Sequence, residues 1–397
     1  MTAHRSAVIV GAGPAGLATA IPLARAGWRV TLLESQRLPV ARVCGEFLSP
    51  DCQPAFDALG VADALRRASG PPIDRARVIA RRGALEITAT GAAGLSRPAM
   101  EAALRSAALQ AGAHLCEGVT VIGVEQGDGV SGYDRAAGAR RAWAADVIVA
   151  ADGKHSRLSA SLDGPHAASA VRSRFGLKAH FRPAMPQPST CDLYVIPSGY
   201  LGVQSVEGGV VNCCASVTAE ALRAMRGRYD EALHGWMAQH PMLQRRLEGA
   251  ERVMPWIAAG PLPQHVRGGW RSGIFFAGDA AGMIDPFCGD GIAMALHGGL
   301  LLAQTLQEIG DPAEAGAVYA RRWRALFARR VRVSRWLAPW LHHPRLAAAL
   351  MPLVRVMPPL VDRLWHATRQ RPVGRRGSYR GPEISACFGG SAMGSTR

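Results

Sequence analysis

A chain of 397 residues is long enough for two or three domains around a sizeable core, and 48% apolar with 19% charged residues is the composition of a soluble globular protein. No apolar run approaches the roughly 18 to 20 residues that cross a bilayer, and no secretory leader is predicted ahead of the first strand. Its eight cysteines (Cys44, Cys52, Cys116, Cys191, Cys213, Cys214, Cys288 and Cys387) show no C-x-x-C and no Cys/His spacing suited to zinc, so reduced cytoplasmic thiols and no metal site are expected.

The apolar run Ala7 to Val10 reads as a buried strand, followed by glycines Gly11, Gly13 and Gly16 in G-x-G-x-x-G, a helix over Ala15 to Ala26, and a strand from Arg29 that ends on Glu34. Gly11 permits a tight turn, Gly13 a close backbone approach to a pyrophosphate, and Gly16 close packing of helix on strand. Pro14 and Ala15 open a helix whose free N–H groups and positive dipole end suit phosphate. Glu34 can accept both ribose hydroxyls and would repel a 2′-phosphate, which disfavours NADP here. An adenine dinucleotide is implied, without a choice between FAD and NAD.

Further along, Ala41 to Cys52 (ARVCGEFLSPDC) reads as a loop and Gln53 to Ser69 as helix. RARVIARR and ALEITAT read as two strands turned at Gly83. Ser96 to Ala111 is an amphipathic helix with Arg97 at its start. Strands over Leu115 to Glu125 and Arg141 to Val149 flank a glycine-rich loop, Gly127 to Gly138. Arg174 to Val217 is strand-rich and Ala219 to Leu247 helical. Another buried strand, Gly273 to Ala277, enters a long helix ending near Leu306, and Ala313 to Trp336 is helical before short proline-broken helices.

Two turns stand at strand ends. Asp152-Gly153 closes DVIVAADG ahead of Ser156 and Arg157, and Gly278-Asp279 closes GIFFAGD ahead of Pro286, Gly289 and Gly291. An Asp at a strand's C-terminal end can accept from a ribityl hydroxyl. A glycine-rich helix N-terminus suits the pyrimidine edge of a flavin, where negative charge gathers on reduction. With GxGPAGLATA and Glu34, the segments ADGKHSRL and GDAAGMIDPFCGDGIAMAL resemble the FAD-dependent superfamily that contains para-hydroxybenzoate hydroxylase and the geranylgeranyl reductases, over roughly residues 5 to 310. Gly282 stands where hydroxylases usually have His, and the Cys44-Gly45 loop resembles the reductase branch. Glu46 departs from that branch, where a second glycine is common.

The resemblance implies an α/β fold: a Rossmann-type FAD-binding domain of the GR2 type (residues 1–165 and 262–320), an inserted β-sheet substrate domain (166–261, joined in one option by 70–95), a basic helical region (321–372) and a disordered tail (373–397). It implies non-covalent FAD held by Gly11, Gly13, Pro14, Ala15, Gly16 and Glu34. Arg42 and Arg97 would approach the phosphates or ribityl chain, Val121 would face adenine, and Asp152, Gly278 and Asp279 would serve the ribityl side. Gly289, Asp290, Gly291 and Ile292 would line the isoalloxazine. Cys44 and Glu46 are the candidate catalytic residues, and Tyr194, Tyr200 and Gln204 the candidate pocket residues.

The favoured activity is a reductase or dehydrogenase moving hydride between flavin and an apolar, isoprenoid- or polyketide-like substrate. The alternative is an NAD(P)H-dependent monooxygenase for an aromatic or polyketide-like substrate. NAD(P)H as a transient donor needs no second glycine fingerprint in this group. A halogenase is weakest, because Lys154 and Lys178, the sole lysines, are expected away from the flavin.

Of the +16 net charge, +13 falls between Arg321 and Arg376, which hold 14 arginines and one acid, Asp362. With Trp323, Trp336, Trp340 and Trp365 this could make an FAD-containing nucleic-acid-binding protein. The apolar residues between the arginines instead favour peripheral association with the inner face of an anionic membrane.

Overall fold

The computed structural model describes residues 5–81, 83–125, 129–163, 174–263 and 265–369. The predicted tail 373–397 and the boundary at 165/166 lie outside them. In chain order, β1 (Ser6–Val10), α1 (Pro14–Arg25) and β2 (Arg29–Glu34) form the opening unit. The predicted loop after Glu34 carries a short strand, β3 (Phe47–Leu48), before α2 (Cys52–Leu59) and α3 (Ala62–Ala68). The strands about Gly83 are β4 (Pro72–Ala80) and β5 (Gly83–Gly94). The helix α4 (Arg97–Gln110) is capped by the Ser96 hydroxyl, which accepts from the Ala99 N–H at 3.3 Å.

Then come β6 (His114–Glu117), β7 (Val119–Glu125), β8 (Gly129–Asp134), β9 (Ala139–Ala144), β10 (Val147–Ala150) and α5 (Arg157–Asp163). The strand β8 corrects the glycine-rich loop expected there. Its glycines admit a close neighbour: a Cβ on Gly132 would stand 2.8 Å from the Thr120 carbonyl oxygen across the ladder. The strand-rich segment is β11 (Arg174–Arg182), β12 (Thr190–Ile196), β13 (Gly199–Ser205) and β14 (Val211–Thr218). The expected single helix after it is three, α6 (Ala219–Met225), α7 (Tyr229–Gln239) and α8 (Pro241–Leu247), broken by left-handed Arg226 and by Pro241. The chain ends with β15 (Glu251–Arg252), β16 (Ile257–Leu262), β17 (Trp270–Arg271), β18 (Ile274–Phe276), α9 (Gly291–Glu308), α10 (Pro312–His342), α11 (Pro344–Arg355) and α12 (Pro358–Ala367).

One sheet runs β17-β18-β10-β1-β2-β6, parallel except for β17. Its strands are apolar because both faces are covered; α1 and α9 pack together and share its buried core. The second sheet, β15-β11-β14-β13-β12-β4-β5-β3 with β16 on β11, is mixed, since β4 joins β12 in parallel. Residues 72–94 therefore belong to this sheet. A small antiparallel sheet, β7-β8-β9, stands beside α5.

The basic C-terminal helices are a structural wall, not an appended surface. Trp323 is 2% exposed and packs against Phe327 in the main core. Ala347 and Met351 of α11 join Val78, Ala80 and Val195 of the second sheet in a separate apolar cluster. No helix of the described residues is long and apolar enough to cross a membrane.

Candidate active site

The glycine turn between β1 and α1 is sterically committed. Gly11 has φ +103°, and a Cβ there would lie 2.3 Å from the Ala151 carbonyl oxygen. A Cβ on Gly16 would meet the Gly11 oxygen at 1.9 Å, so that helix and turn close on each other. Gly13 is different: its Cβ would find nothing nearer than Arg97 at 3.9 Å, leaving free space before the N-terminus of α1. Pro14 and Ala15 are both buried at that terminus.

Glu34 closes β2 at the rim of this turn. Its carboxylate accepts the Ala12 N–H and the Gln36 N–H, each at 3.0 Å, and pairs with Arg42 at 3.3 Å. Arg97 is half-buried and ion-paired with Glu101 one turn along α4. Burial opposes its charge, but Glu101 and the neighbouring Cys44 outweigh that and raise its pKa. Val121 is buried, with a β-bulge directly after it in β7. Asp152 caps α5, accepting from the Arg157 N–H at 2.8 Å, while its other carboxylate oxygen is buried without a partner. Burial pushes its carboxyl up. Asp279 faces the cavity beside Lys154, and burial pushes it up against the pull of Lys154 and Arg97. Gly278 has φ +62° and an added Cβ would lie 2.8 Å from Ala15, so both turns share one place.

At α9 the sequence reading needs correction. Gly289 lines the cavity, but Asp290 turns inward. Fully buried, it accepts from Ser49 at 3.0 Å and Arg330 at 3.1 Å and lies 3.5 Å from Arg369. It fastens the C-terminal helices to the start of α9. Gly291 and Ile292 form the first turn of that helix, with the Ile292 side chain in the core, so only backbone is offered to a ligand edge.

Above these loops the second sheet forms a roof over a cavity of about 530 Å³. Strand alternation puts Asn212, Cys214 and Ser216 of β14 on the same face as Lys178 and His180 of β11 and Tyr200 and Gln204 of β13; cross-strand partners include Lys178–Cys214 and Gln204–Asn212. Tyr200 and Gln204 line the cavity, and both amide atoms of Gln204 are buried without a partner. Tyr194 does not line it. It points to the opposite face, where its hydroxyl donates to Asp192 at 3.0 Å and its ring meets His240 edge-on.

Cys44 lines the cavity and its loop is clamped to the roof. Asn212 donates to the Cys44 and Gly45 carbonyl oxygens at 3.1 and 2.7 Å. Gly176 leaves the room that Val43 fills, since a Cβ there would stand 2.4 Å from it. Glu46 is the second correction. Its carboxylate is fully buried, ion-paired with Lys178, 2.7 Å from His180, and accepts the Arg97 N–H at 2.8 Å. It anchors the loop and is not among the cavity's lining residues. Its φ of +58° falls in the left-handed region that favours glycine, the residue common there in the reductase branch.

The lysines are the third correction. Lys154 lines the cavity, with burial lowering its pKa against Asp279, and Lys178 lies under the Cys44 loop. The signal available in the sequence was period two: Lys178 and His180 alternate with apolar residues in GLKAHF, as Asn212 does in VVNCCASV. The far wall comes from Trp336, Trp340, Met351, Val354, Leu364 and Trp365. Nothing in the sequence pattern had assigned these residues to the pocket.

The sequence profile of the family described as FAD binding domain matches residues 5–314. Squalene monooxygenase of Mus musculus is 24% identical over 346 residues, covering 81% of this chain but 58% of that protein, so the chain spans less than two thirds of it. Menaquinone reductase of Mycolicibacterium smegmatis is 28% identical over 413 residues, covering 94% of this chain and 97% of that protein. Among solved structures, a myxobacterial chondrochloren halogenase superposes with a TM-score of 0.76 over 92% of this chain and 97% of its own, at 20% identity, a likeness of fold.

Proposed function

Since the chain belongs to the FAD binding domain family, within the para-hydroxybenzoate hydroxylase-like flavin enzymes, we propose that this FAD-dependent oxidoreductase is a reductase or dehydrogenase of the geranylgeranyl reductase-like branch, with a GR2-type nucleotide domain. Its substrate in this reading is apolar, isoprenoid- or polyketide-like. The observation that carries the substrate class is the cavity wall: it is mostly apolar, with Val78, Leu85, Ile87, Met351, Val354 and Leu364 among its residues, and its polar points are Gln204, Tyr200, Lys154, Asp279, Ser216, Thr368, Arg77 and Arg369.

The residues present fit FAD. The open space at Gly13 before α1 suits the pyrophosphate, Glu34 the ribose, the bulged strand at Val121 the adenine, Asp279 and the orphaned Asp152 oxygen the ribityl side, and the N-terminus of α9 the pyrimidine edge. FAD supplies a two-electron centre that exchanges hydride with a substrate carbon or with NAD(P)H. The chain does the positioning. Asn212 and Glu46 hold the Cys44 loop, Gln204 offers one donor and one acceptor to a polar group of the substrate, and the apolar wall excludes water. We assign the nucleotide to 1–165 and 262–320, and the roof to 166–261 together with residues 72–94.

The similarity to squalene monooxygenase keeps the NAD(P)H-dependent monooxygenase as the second reading. One experiment separates them. The purified holoenzyme is reduced anaerobically with NADH or NADPH, then mixed with a short-chain naphthoquinone or with air. Fast reoxidation by the acceptor and slow reoxidation by air supports the reductase. Fast reoxidation by air with substrate hydroxylation replaces it with the monooxygenase.

A further inference from the structure

We propose that the outer face of the C-terminal helices docks on an anionic lipid surface and that the cavity mouth opens there, so that substrate passes from bilayer to flavin without crossing water. The entry route rests on the apolar-substrate reading; the docking itself rests on the surface alone.

Five of the twelve large apolar side chains exposed among the described residues fall between Trp336 and Met357: Trp336 (61%), Trp340 (37%), Leu346 (46%), Val356 (75%) and Met357 (43%). The other seven are scattered over the rest of the molecule. Single exposed apolar residues need no explanation, whereas a contiguous group does.

The group is ordered. On α10, Arg329, Arg332, Trp336 and Trp340 recur at helical spacing, all exposed, and the two indoles touch at 6.0 Å between ring centres. On α11, Arg345, Ala349 and Pro352, with Val356 directly after its last residue, recur in the same way on the exposed side, while Ala347, Met351 and Val354 line the cavity. The helix is thus apolar on both sides. One side is the pocket wall, and the other is exposed among the described residues.

Trp336 and Trp340 belong to both surfaces, lining the cavity and standing at its exterior. They mark the mouth. Tryptophan at an apolar rim flanked by arginines is the side-chain chemistry of a bilayer interface.

Charge selects the partner. Arg321, Arg324, Arg329, Arg332, Arg345 and Arg363 are exposed on these helices, and the stretch from Arg321 to Arg376 contains one acid. Near an anionic leaflet each engaged arginine contributes about a five-fold gain in partitioning. A protein partner of ordinary mixed charge would gain from the apolar face but not from this one-signed rim.

The test uses full-length, FAD-loaded protein and vesicles of phosphatidylcholine with or without phosphatidylglycerol. The protein should float with anionic vesicles at low salt and be released as salt rises, and brominated acyl chains should quench its tryptophan fluorescence. R345E combined with V356D, which alters neither the cavity lining nor the nucleotide turn, should lower vesicle partitioning at least ten-fold with the flavin spectrum unchanged. Absence from the vesicle fraction at low salt overturns the proposal, as does unchanged binding by the double variant. So does self-association through this face, abolished by V356D, in a protein that ignores lipid. Anaerobic reduction by NAD(P)H on the same preparations reports the flavin reading separately.

Discussion

Glu46 and Lys178 form an ion pair in which both side chains are fully buried, and His180 lies 2.7 Å from the second carboxylate oxygen. The pair ties the Cys44 loop to the roof sheet. It also holds Glu46 at φ +58°, a conformation that costs a non-glycine residue roughly 1–2 kcal/mol. Glu46→Gln should therefore leave the Lys178 ammonium buried and unmatched, destabilising the protein by about 3–5 kcal/mol in chemical denaturation. Glu46→Gly relieves the backbone but not the charge, and should recover only the smaller part.

The same pair sets an acid limb. Burial raises the Glu46 carboxyl, but the His180 hydrogen bond and the Lys178 charge outweigh it, so the folded pKa lies below the unfolded one. The stabilisation is then complete above the unfolded pKa and lost as pH falls through the folded value. The stability gap between wild type and Glu46→Gln should be constant near neutral pH and close on acidification. A gap independent of pH would show that Glu46 is uncharged in the fold.

Glu34→Ala should weaken FAD. Charge-assisted hydrogen bonds to ribose are worth roughly 1.5–3 kcal/mol each, so reconstitution of apoprotein followed by flavin fluorescence should show a loss of at least ten-fold in affinity. Part of that loss will come from freeing the Ala12 N–H, which Glu34 accepts at 3.0 Å. Unchanged affinity rules out the ribose contact.

What was legible in the sequence was local. Gly11, Gly13, Gly16 and Glu34 lie within one strand-helix-strand unit, so spacing alone carried the turn, the helix terminus and the acid. The part of Glu46 was not legible, because its partner Lys178 is 132 residues away and strand alternation does not say which loop crosses the face. Asp290 was assigned to the ring side for the same reason: Arg330, which claims it, is 40 residues on and sits in a helix that read as surface. That helix misleads because its exposed arginines dominate the composition, while Trp323, Phe327 and Val331 carry it into the core. Tyr194 differs from Tyr200 only in the face its strand presents, which register decides and composition does not.

Cys44→Ala should retain FAD and slow turnover. The thiol lines the cavity beside Arg97 and accepts the Glu46 N–H at 3.3 Å, while the loop is also held through backbone carbonyls by Asn212 and through the Glu46–Lys178 pair, so removing the sulfur leaves these two anchors in place. An unaltered flavin spectrum with a reduced kcat assigns the thiol to the reaction. Asn212→Ala is the complementary variant, since it frees the loop and leaves the thiol; it should disturb the flavin spectrum as well as the rate. Normal turnover in Cys44→Ala reduces the thiol to packing.

Gln204 should behave in opposite ways in stability and in function. Its side chain is 2% exposed, faces the cavity, and has neither amide atom paired. A buried polar group without partners costs about 1–3 kcal/mol, and Leu restores the apolar wall at similar volume. Gln204→Leu should therefore raise the melting temperature of the substrate-free holoenzyme. It should also lower kcat/KM by ten-fold or more if the amide orients a polar group of the substrate, because that group would then be buried without its hydrogen bonds. If the amide instead serves the flavin, Gln204→Leu will weaken FAD binding and its stability gain will vanish at saturating FAD. A variant that is more stable, binds FAD normally and turns over normally would show that the amide faces only water.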